Sequence, residues 1–153
     1  MNRDDKRYGK HGWSQPINAL PIFASVALLA MPSAAEAIEM CSGGNRAERG
    51  ATCLVDGDTF WQGGAKMRLL DIDTPETFEA ECSAGKEMGD RATARLQQLM
   101  AEGYTLANSG KKDRTSDRRD LVRLILPDGR DVGQILIDEG LGATLAERRQ
   151  QMV

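Results

Sequence analysis

Histidine is nearly missing from this sequence: His11 is the single one in 153 residues, and it lies in an N-terminal segment that reads as removable. A chain without imidazole excludes Ser-His-Asp and Cys-His catalysis, histidine zinc sites and histidine phosphotransfer. Cysteine is scarce as well, and three thiols, Cys41, Cys53 and Cys82, cannot complete a four-cysteine zinc site. There is no P-loop and no glycine-rich dinucleotide fingerprint. Aromatic residues make up 5% of the chain, and beyond residue 37 they are Phe60, Trp61, Phe78 and Tyr104, so base stacking should be weak. Positive charge is not in excess either. Residues 38–153 carry 16 basic and 20 acidic side chains, a net charge of −4, which excludes a polybasic arm gripping nucleic acid by charge alone. Acid–base chemistry is left to carboxylates, and electrophilic help to arginine, lysine or a hard metal ion.

The first 37 residues have the layout of a signal peptide. A basic start holds Arg3, Lys6, Arg7 and Lys10, an apolar run spans Pro21 to Met31, and Ala35-Glu36-Ala37 forms an A-x-A cleavage site, with Ser33-Ala34-Ala35 as a second one. The apolar run is shorter than the roughly 18–20 residues of a membrane span. The expected mature protein, residues 38–153, is one small domain with a modest core. It is expected in the periplasm or outside the cell, as a monomer without stable membrane association. In such an oxidising compartment Cys41 and Cys53, flanking the glycine-rich CSGGNRAERGATC, could pair and leave Cys82 over, although three pairings are open.

Along that domain, residues 51–60 read as a strand with a bulge or bend at Gly57. Gln62-Gly63-Gly64 reads as a hairpin turn and residues 66–72 as the returning strand. Residues 86–101 place Ala92, Leu96, Leu99 and Met100 on one helical stripe stopped by Gly103. A short strand is expected at 104–108, a charged loop at 109–120, a strand at 121–126 and a turn at Pro127-Asp128-Gly129. A second helix should run over 131–139, capped by Gly140, before a weak polar helix or frayed tail. This order predicts a small β-rich α+β domain.

Two short segments carry the chemistry, VDGDTF at 55–60 and MRLLDIDTPET at 67–77. A hairpin would bring Asp58 and Asp73 together at one end of the sheet. Two carboxylates, a backbone carbonyl from Thr74 and water make an oxygen site suited to Ca²⁺. Glu76 is close enough to hold a water, and Arg68 can present a guanidinium to a phosphate. Together these are tools for phosphodiester hydrolysis. Taken singly, each residue is also ordinary turn or surface chemistry.

V-D-G-D-T followed by R-L-L-x-I-D-T-P-E-T closely resembles the staphylococcal nuclease (thermonuclease) family, as does the later D-G-R-D-V-G-x-x-L-I-D-E-G-L, over about residues 53 to 141. The resemblance implies a five-stranded OB-fold barrel with two or three packed helices and Ca²⁺-dependent cleavage of single-stranded DNA or RNA. It makes Asp58, Asp73 and the Thr74 carbonyl the metal ligands, Glu76 the general base and Arg68 the phosphate-binding arginine. The family's second arginine lies in a Y-G-R element, which is broken here into TSDRRDLVRL, residues 115–124. A gapless register puts Asp120 in its place and a short deletion puts Arg119 there, with Arg118 and Arg123 as weaker candidates. The loop from Lys111 to Arg123 holds six basic side chains against three aspartates and reads equally as a solvated loop or a phosphate-tracking edge. The family's long terminal helix has no counterpart after Leu141. The expected function is an exported Ca²⁺-dependent nuclease with Arg119 as second arginine. The alternatives are an OB-type module that binds an oligomer without cutting it and a chain that folds poorly.

Overall fold

The computed structural model describes residues 37–78, 80, 82–115 and 118–151. The expected signal peptide, residues 1–37, lies outside these except for Ala37. In chain order the elements are β1 (Cys53–Leu54), β2 (Thr59–Gln62), β3 (Ala65–Leu69), β4 (Ile72–Asp73), α1 (Ser83–Ala101), β5 (Thr105–Lys112), β6 (Asp120–Ile125), α2 (Val132–Asp138), β7 (Ala143–Thr144) and α3 (Leu145–Gln151). Five strands form one sheet in the order β1-β2-β3-β6-β5, and β4 pairs with β7 in a small second sheet. β3 and β6 run parallel, Met67 opposite Asp120, while the other pairings are antiparallel. Among the described residues no strand pairing joins β1 to β5, so the expected barrel is seen as an open five-stranded sheet.

The helix stripe packs as expected: Ala92, Leu96 and Leu99 are fully buried against Leu54, Phe60, Leu69, Val122 and Leu124 of the sheet. Each such leucine or phenylalanine contributes about 1.5–3 kcal/mol by leaving water. α2 adds Val132 and Leu136 to the same core, with the Asp131 carboxylate capping its N-terminus through the Gly133 N–H at 2.8 Å.

Four local expectations are corrected. The strand expected over 51–60 is two strands, because the Asp56 carboxylate accepts from the Asp58 and Thr59 N–H groups at 3.0 and 2.8 Å and folds β1 back onto β2. Gly57 belongs to that turn. A Cβ there would stand 2.6 Å from the Ala92 Cβ, so α1 can approach only a glycine. The strand expected over 66–72 breaks at Asp71, which takes a left-handed φ of 65°, and the chain turns into β4. α1 begins at Ser83, ahead of the expected Lys86, with Cys82 at its N-cap. β5 continues through Lys112 into the expected charged loop, because backbone pairing with β6 resumes at Lys112–Asp120 after an irregularity that begins at Asn108.

Cys41 and Cys53 form a disulfide, and Cys82 is free and exposed. The bridge closes a loop of sequence separation 12 and ties the irregular lead to the edge strand β1. Chain-entropy arithmetic for a loop of that size gives about 3 kcal/mol. Urea unfolding with and without reductant is expected to show a stability loss of that order, and a Cys41→Ser/Cys53→Ser variant should no longer respond to the reductant.

Candidate active site

The site is built where the turn entering β2, the end of β3 and the β4 strand meet. Asp58 follows the Asp56 turn directly, and its side chain points inward, 4% exposed. It accepts from the Thr59 hydroxyl at 2.8 Å, the Thr74 N–H at 3.0 Å and the Arg68 Nη2 at 3.1 Å. Sheet register supplies the arginine, since Arg68 lies opposite Thr59 across the β2–β3 pair. The break at Asp71 then swings β4 so that Asp73 accepts from the same Arg68 Nη2. One guanidinium thus joins the two carboxylates that sequence reasoning placed together. Burial pushes the Asp58 carboxyl up from 3.8 to about 6, and the Asp56 charge adds to this, while Arg68 and the Thr74 and Thr59 hydrogen bonds pull it down.

Thr74 is 2% exposed, and its hydroxyl has no hydrogen-bond partner among the described residues. Glu76, two residues on, is exposed and has no ion-pair partner among them. It lines a cavity of about 460 Å³ together with Asp73, Cys82, Met88 and Arg148. Packing fixes this loop: a Cβ on Gly89 of α1 would fall 2.6 Å from the Pro75 carbonyl oxygen and 3.0 Å from that of Glu76. The backbone carrying Glu76 therefore rests directly on α1.

The arginine candidates separate cleanly. Arg119 donates through Nη1 to the Thr59 hydroxyl at 3.0 Å, one hydrogen bond away from Asp58. Asp113 holds it from behind, accepting from Nε at 2.6 Å and from the Arg119 N–H at 3.0 Å. Arg123 turns elsewhere, to Asp131 at 2.6 Å and Asp71 at 3.0 Å. Asp120 pairs with Lys112 at 2.7 Å and stays out of the site. The side chain of Arg118 makes no ion pair among the described residues, and its backbone is left-handed, φ 45°. Of the six cations in the basic loop, Lys112, Arg119 and Arg123 are paired, and Lys111, Arg114 and Arg118 make no ion pair among the described residues.

Residues 66–152 match the family described as staphylococcal nuclease homologue. The chain belongs to that family. The SPbeta prophage-derived endonuclease YokF of Bacillus subtilis (strain 168) is 34% identical over 91 residues, covering 57% of this chain and 30% of that protein. The chain therefore spans less than a third of the length of this relative. The family match starts at Lys66, so Asp58 enters the site of this nuclease homologue through the fold: the hairpin register brings it to Arg68 and Asp73.

Three participants escaped sequence reasoning. Arg148 of α3 donates through Nε to Asp73 at 2.6 Å, delivered there by the Asp73–Ala143 pairing of β4 and β7. Nothing in AERRQQ marks it. Thr59 is the hinge between Asp58 and Arg119, for which the only local signal is its place beside Asp58. Asp113, which orients Arg119, lies six residues upstream of it in a stretch that looks like solvated loop.

Proposed function

We propose that this nuclease homologue is an exported, Ca²⁺-dependent phosphodiesterase that cuts single-stranded DNA or RNA and works as a monomer. The single observation carrying the reading is the convergence of Asp58, Asp73 and Arg68, with Glu76 on the adjoining cavity. The disulfide supports an oxidising destination. The strand order with its parallel β3–β6 pair supports an OB-type sheet.

The donor set fits a hard cation. Among the described residues no three His, Cys, Asp or Glu side chains converge, so the ligands would be Asp58, Asp73, the Thr74 carbonyl and water. Such a cation, when bound, supplies charge neutralisation and polarisation at a phosphate oxygen. The residues of the chain supply the rest. The Glu76 carboxylate takes the proton from the attacking water as its oxygen bonds to phosphorus and the opposite P–O bond breaks. Arg68, once the two aspartates have another partner, donates its N–H groups to the phosphate oxygens, and Arg119 donates from the Thr59 side as negative charge grows. The departing oxygen leaves with a proton from solvent. The broken Y-G-R element favours a binding module that does not cut, but the position of Arg119 supports the hydrolytic reading.

The test is cleavage of single-stranded DNA by the purified protein with Ca²⁺ or with chelator. A folded protein that cuts nothing with Ca²⁺ sinks the reading. A pH dependence is expected as well. Asp58 has its folded pKa raised to about 6 from 3.8, so without metal its contribution to stability is full below pH 4 and is lost as pH rises through 6. Cation binding needs the ionised carboxylate. Saturating Ca²⁺ should therefore raise Tm more at pH 8 than at pH 5, measured by thermal melts, and Asp58→Asn should abolish the difference.

A further inference from the structure

Phe78 and Met40 are the large apolar side chains that stand exposed among the described residues, at 83% and 45%. Both line one hollow of about 470 Å³ together with Thr77 and with Lys86, Asp90, Thr93, Ala94 and Gln97 of α1. A phenylalanine ring left in water forgoes the stabilisation of burial, and two apolar side chains facing one hollow mark a surface that something covers. The position of the hollow says what. Glu76 lines the catalytic cavity, and its chain neighbours Thr77 and Phe78 line this one. Two residues span at most about 7 Å, within reach of the nucleotide next to the one being attacked.

We propose that the hollow is a nucleobase subsite, in which a base of a single-stranded nucleic acid stacks on Phe78 beside Met40 while the neighbouring phosphate meets Lys86. The proposal rests on the phosphodiesterase reading above. Single-strandedness follows from the chemistry, because a duplex keeps its base faces inside the stack. Lys86 is held by Asp90 at 2.8 Å in an exposed pair, which a phosphate can exchange at little cost. Of the other polar groups of the hollow, the Thr93 hydroxyl donates to the Gly89 carbonyl at 2.9 Å and the Gln97 amide nitrogen to the Ile38 carbonyl at 2.7 Å, while the buried Thr77 hydroxyl has no hydrogen-bond partner among the described residues. The subsite therefore holds a base by its face, with the Thr77 hydroxyl left to meet its edge.

The experiment compares a dye-labelled oligothymidylate with an abasic oligonucleotide of equal length, by fluorescence anisotropy in chelator, for wild type, Phe78→Ala and Phe78→Trp. Wild type should favour the base-bearing strand about tenfold. Phe78→Ala should bring that ratio close to one, and Phe78→Trp should keep it. A ratio unchanged in Phe78→Ala overturns the subsite, as does a wild type that binds both strands equally or neither. A tryptophan fluorescence in Phe78→Trp that changes with protein concentration alone would give the hollow to a second copy of the chain and equally overturn it. Cleavage is measured separately in Ca²⁺. Base discrimination without cleavage refutes the phosphodiesterase reading and leaves the subsite standing, whereas cleavage without discrimination refutes the subsite alone.

Discussion

Replacing Glu76 by glutamine is expected to lower the single-turnover rate of single-stranded DNA cleavage by about 10²–10⁴-fold, the usual loss when a positioned general base is removed. The amide keeps the size of the carboxylate and can still touch a water, but it cannot take its proton. The variant should fold as well as wild type. Glu76 is exposed and has no ion-pair partner among the described residues, and changes at such positions stay within about 0.5 kcal/mol. Substrate affinity in chelator should also be kept, because Glu76 brings negative charge, which does not hold phosphate. Rate loss without loss of fold or binding separates a base from a structural acid. A Glu76→Gln protein that cuts within tenfold of wild type would remove Glu76 from the chemistry and pass the water to another group.

Arg119→Ala should cost about 10²–10³ in kcat, the scale of one lost donor to a developing oxyanion. The geometry makes the effect specific. Asp113 grips Nε, Thr59 takes Nη1, and Nη2 is left with no partner among the described residues. A guanidinium fixed at two points arrives preorganised, so its remaining N–H groups meet the phosphate without reordering. Arg119→Lys should recover little, since an ammonium cannot keep Asp113 and Thr59 while reaching a third acceptor. Asp113→Asn should lower kcat less than Arg119→Ala, because the arginine remains but is held less firmly. Arg123→Ala provides the contrast: that side chain is committed to Asp131 and Asp71, and its loss should leave kcat within about twofold while costing at most about 1 kcal/mol of stability. If Arg119→Ala and Arg123→Ala behave alike, the assignment of the second arginine is wrong.

Much of this was readable from local pattern. The α1 stripe, the Gly63-Gly64 turn, the turn at Pro127-Asp128-Gly129 and the capped α2 all lie where spacing and turn chemistry put them, because each depends on residues within four or five positions of itself. The pairing of Asp58 with Asp73 was also legible, through a hairpin and two aspartate-rich segments. The break at Asp71 was not. Contacts from distant parts of the chain offset the conformational cost of a left-handed aspartate: the pairing of β4 with β7, the Leu145 N–H donating to the Asp71 carbonyl, and the Arg123–Asp71 pair. The extension of β5 into SGKK was hidden for a similar reason, since a polar edge strand is identified by its partner and not by its composition.

By itself, the sequence determined which chemistry was possible. Its single histidine, His11, its three cysteines and its net negative charge pointed to carboxylates, arginines and an expected oxygen-bound cation, and the D-G-D-T and R-L-L-x-I-D-T-P-E-T segments named the family. Tertiary structure decided which side chains share the space. It set Arg119 against Thr59 beside Asp58 while Asp120 and Arg123 pair elsewhere, brought Arg148 to Asp73 from 75 positions along the chain, and set Phe78 in the open two residues from Glu76. Those choices rest on contacts between residues distant in sequence, and their energies come from burial and pairing that no local stretch of chain contains.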